Sequence, residues 1–350
     1  MFMDKAIRVL MITCAYPTPE SPRRVPFIVR QVEFLRSAGV DIDLFHFKGK
    51  QRIFNYVQAW RELRRHTAGK SYDLIHAQWG QSAVLALPKH LPWVITFRGN
   101  DLEGIVGKGG KYTLNGRIQQ TVSRQMARLA DQVIVVSDRL GKRLKRTDFH
   151  VIPSGLDLDL FRPIPKAEAR QFLNLPVDKR LILFAASRID NPRKRFDLAE
   201  AAVELIKDRF DAELIVATKV PHSSVPYYMN ACDALLLTSM HEGSPNVVKE
   251  ALACNMPVVS TDVGDVAQRV KDIDGCVICR DYTPQAIASA LEQALAYGER
   301  IDGRRTVEEL DENLLTKKII EIYRNVLVPD NAEQRVLNIG NRGGEPASEI

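Results

Sequence analysis

Short apolar runs alternate with segments of helical periodicity twice along this chain, and that alternation limits the fold more than any other feature. In the first half the strand-like runs are 7–12, 42–45, 74–76, 93–97 and 133–136. Helical patterns fill 26–37, 54–66, 82–89, 118–130 and 139–145. Such repetition predicts a parallel sheet covered by helices on both faces. Residues 150–165 read HVIPSGLDLDLFRPIP, a proline-rich, irregular stretch that marks a boundary. A second alternation follows, with strands at 181–185, 213–217, 234–237, 257–260 and 276–279 and helices at 196–207, 225–231 and 284–297. Residues 307–327 keep helical spacing with no strand behind them. With 350 residues, two domains of about 150 fit better than one. The expected division is 1–152, 153–303, a terminal helix in 304–328, and a disordered tail at 329–350 with few core formers.

The segment 241–264 reads HEGSPNVVKEALACNMPVVSTDVG and lies between two of those strands. Ser244 suits an N-cap and Pro245 the first helical position, so a helix is expected to begin there. Its first free amides would then open at the carboxyl end of a parallel strand, where such sheets bind ligands and where phosphate is favoured. Glu242 falls on the loop and Glu250 about a turn and a half into the helix. Both can face one ligand; solvated glutamates flanking a capped helix are the alternative on these residues alone.

This segment resembles the Glu-x7-Glu signature of retaining glycosyltransferases with the GT-B fold, family 4 in particular and its surface-polysaccharide subgroup. The likeness continues through EGSPNVVKEALACNMPVVSTDVGDV and covers nearly the whole chain apart from the tail. It implies an α/β chain of two Rossmann-like domains facing a cleft, with the C-terminal helix crossing back to the first domain. It implies that Glu242 lies beside the donor sugar and diphosphate, that Glu250 binds the ribose hydroxyls, and that main-chain amides of Ser244, Asn246 and Val247 approach the sugar and phosphate. Ser187-Arg188-Ile189 and Arg193-Lys194-Arg195, followed by Phe196-Asp197, resemble the family's G-R-[LI]…K-G-F-D element. Arg188 and Lys194 then meet the diphosphate, and Arg195 stands where glycine is usual. Cations ahead of a helix oppose its dipole unless an anion binds there.

In WVITFRGNDL, Arg98 replaces the histidine of many relatives, a permanent cation with five donors for donor or acceptor. The loop 15–27 lacks the glycine usual after the first strand; Val25-Pro26 stands in its place, with Arg23 or Arg24 as substitutes for phosphate contact. The expected catalytic residues are therefore Glu242, Arg188 and Lys194, and the donor-binding residues Glu250, Ser244, Asn246, Val247 and Arg98. No metal or cofactor is expected. The donor is a UDP- or GDP-linked sugar, and the acceptor a glycan or polyprenyl-diphosphate-linked sugar. A non-catalytic GT-B scaffold and a sugar-nucleotide epimerase are the competing readings.

Other features are narrower. No apolar run approaches the roughly 20 residues of a membrane span, and the N-terminus reads as a strand rather than a signal peptide, so a cytoplasmic protein is expected. Cys276 and Cys279 sit three apart on a strand, on opposite faces, and cannot share a metal. Asp157-Leu158-Asp159 is read as turn formers. His76 is placed in the core or at the cleft. The net charge of +6 gathers in the first half, with no nucleic-acid-reading module. An anionic membrane surface is a candidate partner, with Lys48, Lys50, Arg52, Lys108 and Lys111 as contacts.

Overall fold

The structure, a computed structural model, describes residues 6–19, 25–49, 52–107 and 110–328. Arg23, Arg24, Lys50, Lys108 and the tail 329–350 lie outside the described residues.

The first unit runs β1 (Arg8–Thr13), α1 (Pro26–Ser37), β2 (Asp41–His46), α2 (Ile53–Thr67), β3 (Leu74–Gln78), β4 (Trp93–Phe97), α3 (Asn100–Glu103), α4 (Leu114–Leu129), β5 (Gln132–Val135), α5 (Asp138–Gly141) and β6 (His150–Val151). Its six strands lie in the order β2-β1-β3-β4-β5-β6, every pairing parallel. Strands β3 and β4 are buried at every position, because helices cover both faces of a parallel sheet.

The second unit runs α6 (Lys166–Leu173), β7 (Arg180–Ala185), α7 (Phe196–Phe210), β8 (Ala212–Ala217), α8 (Val225–Ala231), β9 (Ala234–Leu237), α9 (Asn246–Ala253), β10 (Val258–Ser260), α10 (Val266–Val270), β11 (Val277–Ile278) and α11 (Pro284–Tyr297). Its parallel strands are ordered β11-β10-β9-β7-β8. After two short 3₁₀ turns, α12 (Glu312–Leu327) returns to the first sheet. Leu315, Ile319, Ile322 and Tyr323 of α12 share a core with Val9 and Met11 of β1 and Ile28 and Val32 of α1. His76 fastens this return: its Nδ1 lies 2.6 Å from the Tyr323 hydroxyl and its Nε2 2.8 Å from Thr96 Oγ1. Burial, with the positive charge of Arg98, pushes the His76 pKa down to about 3. His76 is thus a core residue.

Several elements depart from their sequence expectation for local reasons. The helix expected over 82–89 is a 3₁₀ helix, Gly80–Ala86, drawn tight against β4; a Cβ on Gly80 would lie 2.6 Å from Phe97. The helix expected over 139–145 stops at Gly141, where Phe149 occupies the space a side chain would need. The terminal helix starts at Glu312 because Asp311 is its N-cap, its carboxylate accepting from the amides of Asn313 at 2.9 Å and Leu314 at 3.3 Å. Asp157 forms a turn, accepting from the Leu160 amide at 2.9 Å. Among the described residues no cysteine forms a disulfide.

Candidate active site

The two sheets meet at their carboxyl ends. Thr238, one residue past β9, donates its hydroxyl to the carbonyls of Lys194 and Arg195, and the Met240 amide donates to the Arg193 carbonyl at 2.9 Å. The Asn191 side chain caps a 3₁₀ turn, Pro192–Lys194, accepting from the Arg193 amide at 3.1 Å. These contacts hold the cationic turn before α7 against the loop after β9. Both side chains of that turn then converge on Glu242. Lys194 Nζ lies 2.7 Å from Oε1 and Arg193 Nη1 2.5 Å from Oε2, while Ser239 Oγ donates to Oε1 at 2.9 Å. Glu242 is 12% exposed. Burial alone would raise its pKa, but the charges of Lys194 and Arg193 outweigh burial and hold it down at about 2. An ionised carboxylate with two cations leaves one net positive charge at the mouth of the cleft.

The helix behind this loop begins one residue later than its sequence suggests. Pro245 is the N-cap of α9 and Asn246 its first residue, with no side-chain cap. The Ser244 hydroxyl is drawn instead to Asp265 Oδ2 at 2.9 Å, which also accepts from Arg269 Nε at 2.6 Å. The amides of Ser244, Asn246 and Val247 consequently find no acceptor among the described residues, a cluster of open donors at a helix N-terminus. One turn further on, the half-buried Glu250 has a single ionic neighbour among the described residues, His222 Nε2 at 3.7 Å.

The first domain closes on this loop from the other side. The Ser137 hydroxyl donates to the Gly243 carbonyl at 2.6 Å in a buried contact. A Cβ on Gly243 would lie 2.3 Å from the Arg98 carbonyl oxygen, so only glycine admits this approach. Tyr112 stacks on His241 with centroids 5.7 Å apart and planes 17° from parallel, and its hydroxyl lies 3.3 Å from His241 Nδ1. Burial and the nearby Arg193 push the His241 pKa down to about 4.

Two expected site residues sit elsewhere. Arg188 is 69% exposed and pairs with Asp190, its Nε 2.8 Å from Oδ1; the carboxylate two residues away captures the guanidinium, and it does not join the Glu242 cluster. Arg98 is turned inward rather than into the cleft. It donates from Nε and Nη2 to Gln78 Oε1 at 2.9 and 2.8 Å, from Nη2 to Gln31 Oε1 at 2.9 Å and from Nη1 to Ser154 Oγ at 2.8 Å. Its guanidinium also lies 4.9 Å from the Phe27 ring centre. Burial pulls its pKa down to about 10. Val25, at the place of the missing glycine, holds φ at 48°, a left-handed conformation costly for a β-branched residue.

Sequence reasoning missed Ser239, Ser137, Tyr112 and Lys249. Lys249 precedes Glu250 but points inward, donating to the Ser154 carbonyl at 3.1 Å, and burial pushes its pKa down to about 7. Its flanking Val248, Ala251 and Leu252 were the available signal of a buried face.

Residues 3–160 match the family described as Glycosyltransferase Family 4, and residues 215–297 the one described as Glycosyl transferases group 1. Over 353 residues the chain is 27% identical to TuaC of Bacillus subtilis, described as a teichuronic acid biosynthesis glycosyltransferase, covering 81% of this chain and 88% of that one. The chain is a glycosyltransferase whose first half matches family 4, and its architecture is GT-B. Sucrose-phosphate synthase from Thermosynechococcus elongatus shares the fold with a TM-score of 0.75 at 18% identity, over 92% of this chain and 99% of that one. HepE of Anabaena, solved with UDP-glucose, shares it with a TM-score of 0.64 at 15% identity, over 91% of this chain and all of the other.

Proposed function

We propose that this glycosyltransferase moves a sugar, with retention of anomeric configuration, from a uridine-diphosphate donor to a lipid-linked glycan in the assembly of a surface polysaccharide. One observation carries the reading most directly: Glu242, with its two cations, stands beside the open amides that begin α9, and Glu250 follows one turn later. A nucleotide-sugar needs that set. The diphosphate takes the amides of Ser244, Asn246 and Val247 together with Lys194 and Arg193, and the ribose diol takes Glu250. UDP-glucose bound to HepE favours uridine over guanosine, and TuaC favours a surface polysaccharide as product.

Glu242, ionised with a pKa of about 2 and engaged by three donors, is a weak base and a poor nucleophile. Its role is to hold Arg193 and Lys194 and balance their charge. In the step itself the acceptor oxygen bonds to the anomeric carbon as the carbon–phosphate oxygen bond breaks, and the acceptor's proton passes to the departing phosphate. Lys194 and Arg193 stabilise the charge that grows there. The donor belongs to the second domain and the acceptor to the first, with Ser137 and Gly243 closing the cleft against water. Arg98 orients Gln31, Gln78 and Ser154 beneath that closure.

Calorimetry with UDP and GDP, followed by radiolabelled transfer from UDP-sugars to a polyprenyl-diphosphate-linked glycan, tests this reading. UDP is expected to bind at least tenfold more tightly than GDP, and transfer is expected to persist in chelator. GDP preference overturns the donor assignment, and loss of activity in chelator restored by Mg²⁺ overturns the charge assignment.

A further inference from the structure

Helix α2 turns only Ala59 and Leu63 fully into the first domain. Its large apolar side chains face the other way: Ile53, Phe54, Val57 and Trp60 are 84%, 72%, 45% and 39% exposed. At about 100° per residue Ile53, Val57 and Trp60 form one stripe, with Phe54 at its edge. Single exposed apolar residues are ordinary, but four within two turns of one helix make a patch that no described segment covers, although the Arg64 guanidinium lies 5.0 Å from the Trp60 ring centre.

The charge around the patch is almost wholly of one sign. Arg52, Arg61 and Arg65 are exposed beside it. Glu62, the one carboxylate of α2, lies off the stripe and accepts from Gln58 at 2.8 Å. The helix is meanwhile tied to the body, since Trp60 Nε1 and Arg64 Nη2 both donate to the Leu87 carbonyl, at 2.9 and 2.8 Å. The result is a rigid amphipathic helix with an apolar outer stripe and a basic rim.

We propose that α2 docks this protein on an anionic lipid bilayer, with Ile53, Phe54, Val57 and Trp60 entering the acyl boundary and Arg52, Arg61 and Arg65 meeting the headgroup phosphates. A helix of this pattern lies in the interface plane with its apolar face sunk roughly 5–10 Å. A second copy is the poorer cover, because a two-fold contact would set one arginine rim against another. The inference rests on the lipid-linked acceptor only for its purpose, and vesicle binding needs neither donor nor catalysis. Of the contacts expected from sequence it keeps Arg52, and in place of the lysines it sets an apolar stripe with Arg61 and Arg65.

The full chain, without nucleotide, is floated with phosphatidylcholine vesicles with and without phosphatidylglycerol. Binding is expected with the anionic vesicles alone, and brominated lipid is expected to quench Trp60 fluorescence, a signal lost in Trp60→Phe. The double variant Ile53→Ser/Phe54→Ser should cut the bound fraction at least tenfold with melting temperature and UDP affinity unchanged, since both side chains are exposed. Arg61→Ala/Arg65→Ala should weaken binding several-fold and reduce its salt sensitivity, and Lys111→Ala should leave it unchanged. Absence of flotation with anionic vesicles at low salt overturns the proposal, as does flotation indifferent to Ile53→Ser/Phe54→Ser. So does a dimer in sedimentation that the same double variant dissolves. Unchanged UDP binding in any of these outcomes leaves the transferase reading standing.

Discussion

Two regions of the cleft set cations at the carboxyl end of a parallel sheet and use them in opposite ways. After β4, Arg98 makes four hydrogen bonds, all to neutral oxygens of Gln31, Gln78 and Ser154. Before α7, Arg193 and Lys194 hold a carboxylate, which a diphosphate can share or displace. The contrast separates a cation that builds the wall from cations that carry charge for chemistry. It also explains how Arg193 and Lys194 stand ahead of α7 without an unfavourable end-effect: the anion beside them is Glu242.

The sharpest way to break that contrast is to remove a cation from each side. Lys194→Ala and Arg193→Ala are each expected to lower turnover about a hundredfold to a thousandfold, the range for losing a transition-state charge partner. Arg98→Lys should instead lower stability, by about 2 kcal/mol, because a single ammonium nitrogen cannot span acceptors that the guanidinium reaches from three separate nitrogens. Donor affinity should hold. Steady-state rates beside thermal melts decide the matter; a hundredfold rate loss in Arg98→Lys with normal stability would move Arg98 into the chemistry.

The seam between the two regions gives the next largest effect. With 2.3 Å from a Gly243 Cβ to the Arg98 carbonyl oxygen, Gly243→Ala forces the domains apart or twists the loop. Turnover is expected to fall about a hundredfold, as for an ångström-scale misplacement of reacting groups. UDP affinity, which the proposed donor site assigns to the second domain, should stay near that of the parent protein. A proportional loss of UDP affinity would show the alanine acting on the donor loop rather than on closure.

Glu250 tests the donor side without touching the seam. Its carboxylate has no hydrogen bond among the described residues, and bonds from two ribose hydroxyls to a charged acceptor are worth roughly 1.5–3 kcal/mol. Glu250→Gln is therefore expected to weaken UDP and donor alike by about tenfold to a hundredfold. Equal nucleotide affinity by calorimetry removes Glu250 from the ribose.

How much of this was legible in the sequence differs between the same two regions. Both sheets and nearly all their strands were readable, because a strand buried on both faces is a near-continuous apolar run, as β4 and β9 are; the order of the strands within each sheet was not. That Glu242 and Lys194, two residues before α7, belong to one site was foreshadowed by the motif, which sends both to the diphosphate. The choice between neighbouring cations was not. Side-chain direction in the turn Pro192–Lys194 follows from the Asn191 cap and from Arg195 at φ 49°, which spacing does not encode, so Arg193 reaches Glu242 beside Lys194. The start of α9 was misread for a similar reason: Asp265, twenty-one residues on, takes the Ser244 hydroxyl that local chemistry offers as a cap. The inward turn of Arg98 depends on Gln31 and Ser154, remote in sequence.

Acid exposes a smaller difference. The Glu242 pKa is depressed from 4.5 to about 2, so its stabilising contribution is complete above pH 4.5 and disappears as pH falls through about 2. His241, depressed from 6.5 to about 4, loses its contribution between those values, and His76 acts likewise down to about 3. Between pH 6.5 and 4.5 Glu312 and Asp101, raised by burial to about 7 and about 6, gain as pH falls and oppose the loss at His241 and His76, so melting temperature is expected to stay nearly level there and to fall below 4.5. In Glu242→Gln that fall should flatten. An unchanged slope below pH 4.5 would locate the acid response elsewhere.

The smallest effect is expected at Arg188, and it is the most discriminating for the donor-side assignment. An exposed ion pair such as Arg188–Asp190 contributes little, because water and salt screen both charges. If the diphosphate is held by Arg193, Lys194 and the α9 amides, Arg188→Ala should change turnover less than about fivefold. Asp190→Ala would then be equally mild. The family pattern predicts otherwise, with Arg188 leaving Asp190 to meet the departing phosphate. In that case Arg188→Ala costs two orders of magnitude or more, and Asp190→Ala, by freeing the guanidinium, raises turnover or donor affinity. Measuring both variants beside Lys194→Ala distinguishes a fixed pair of cations from a set of three, one of which Asp190 holds in reserve.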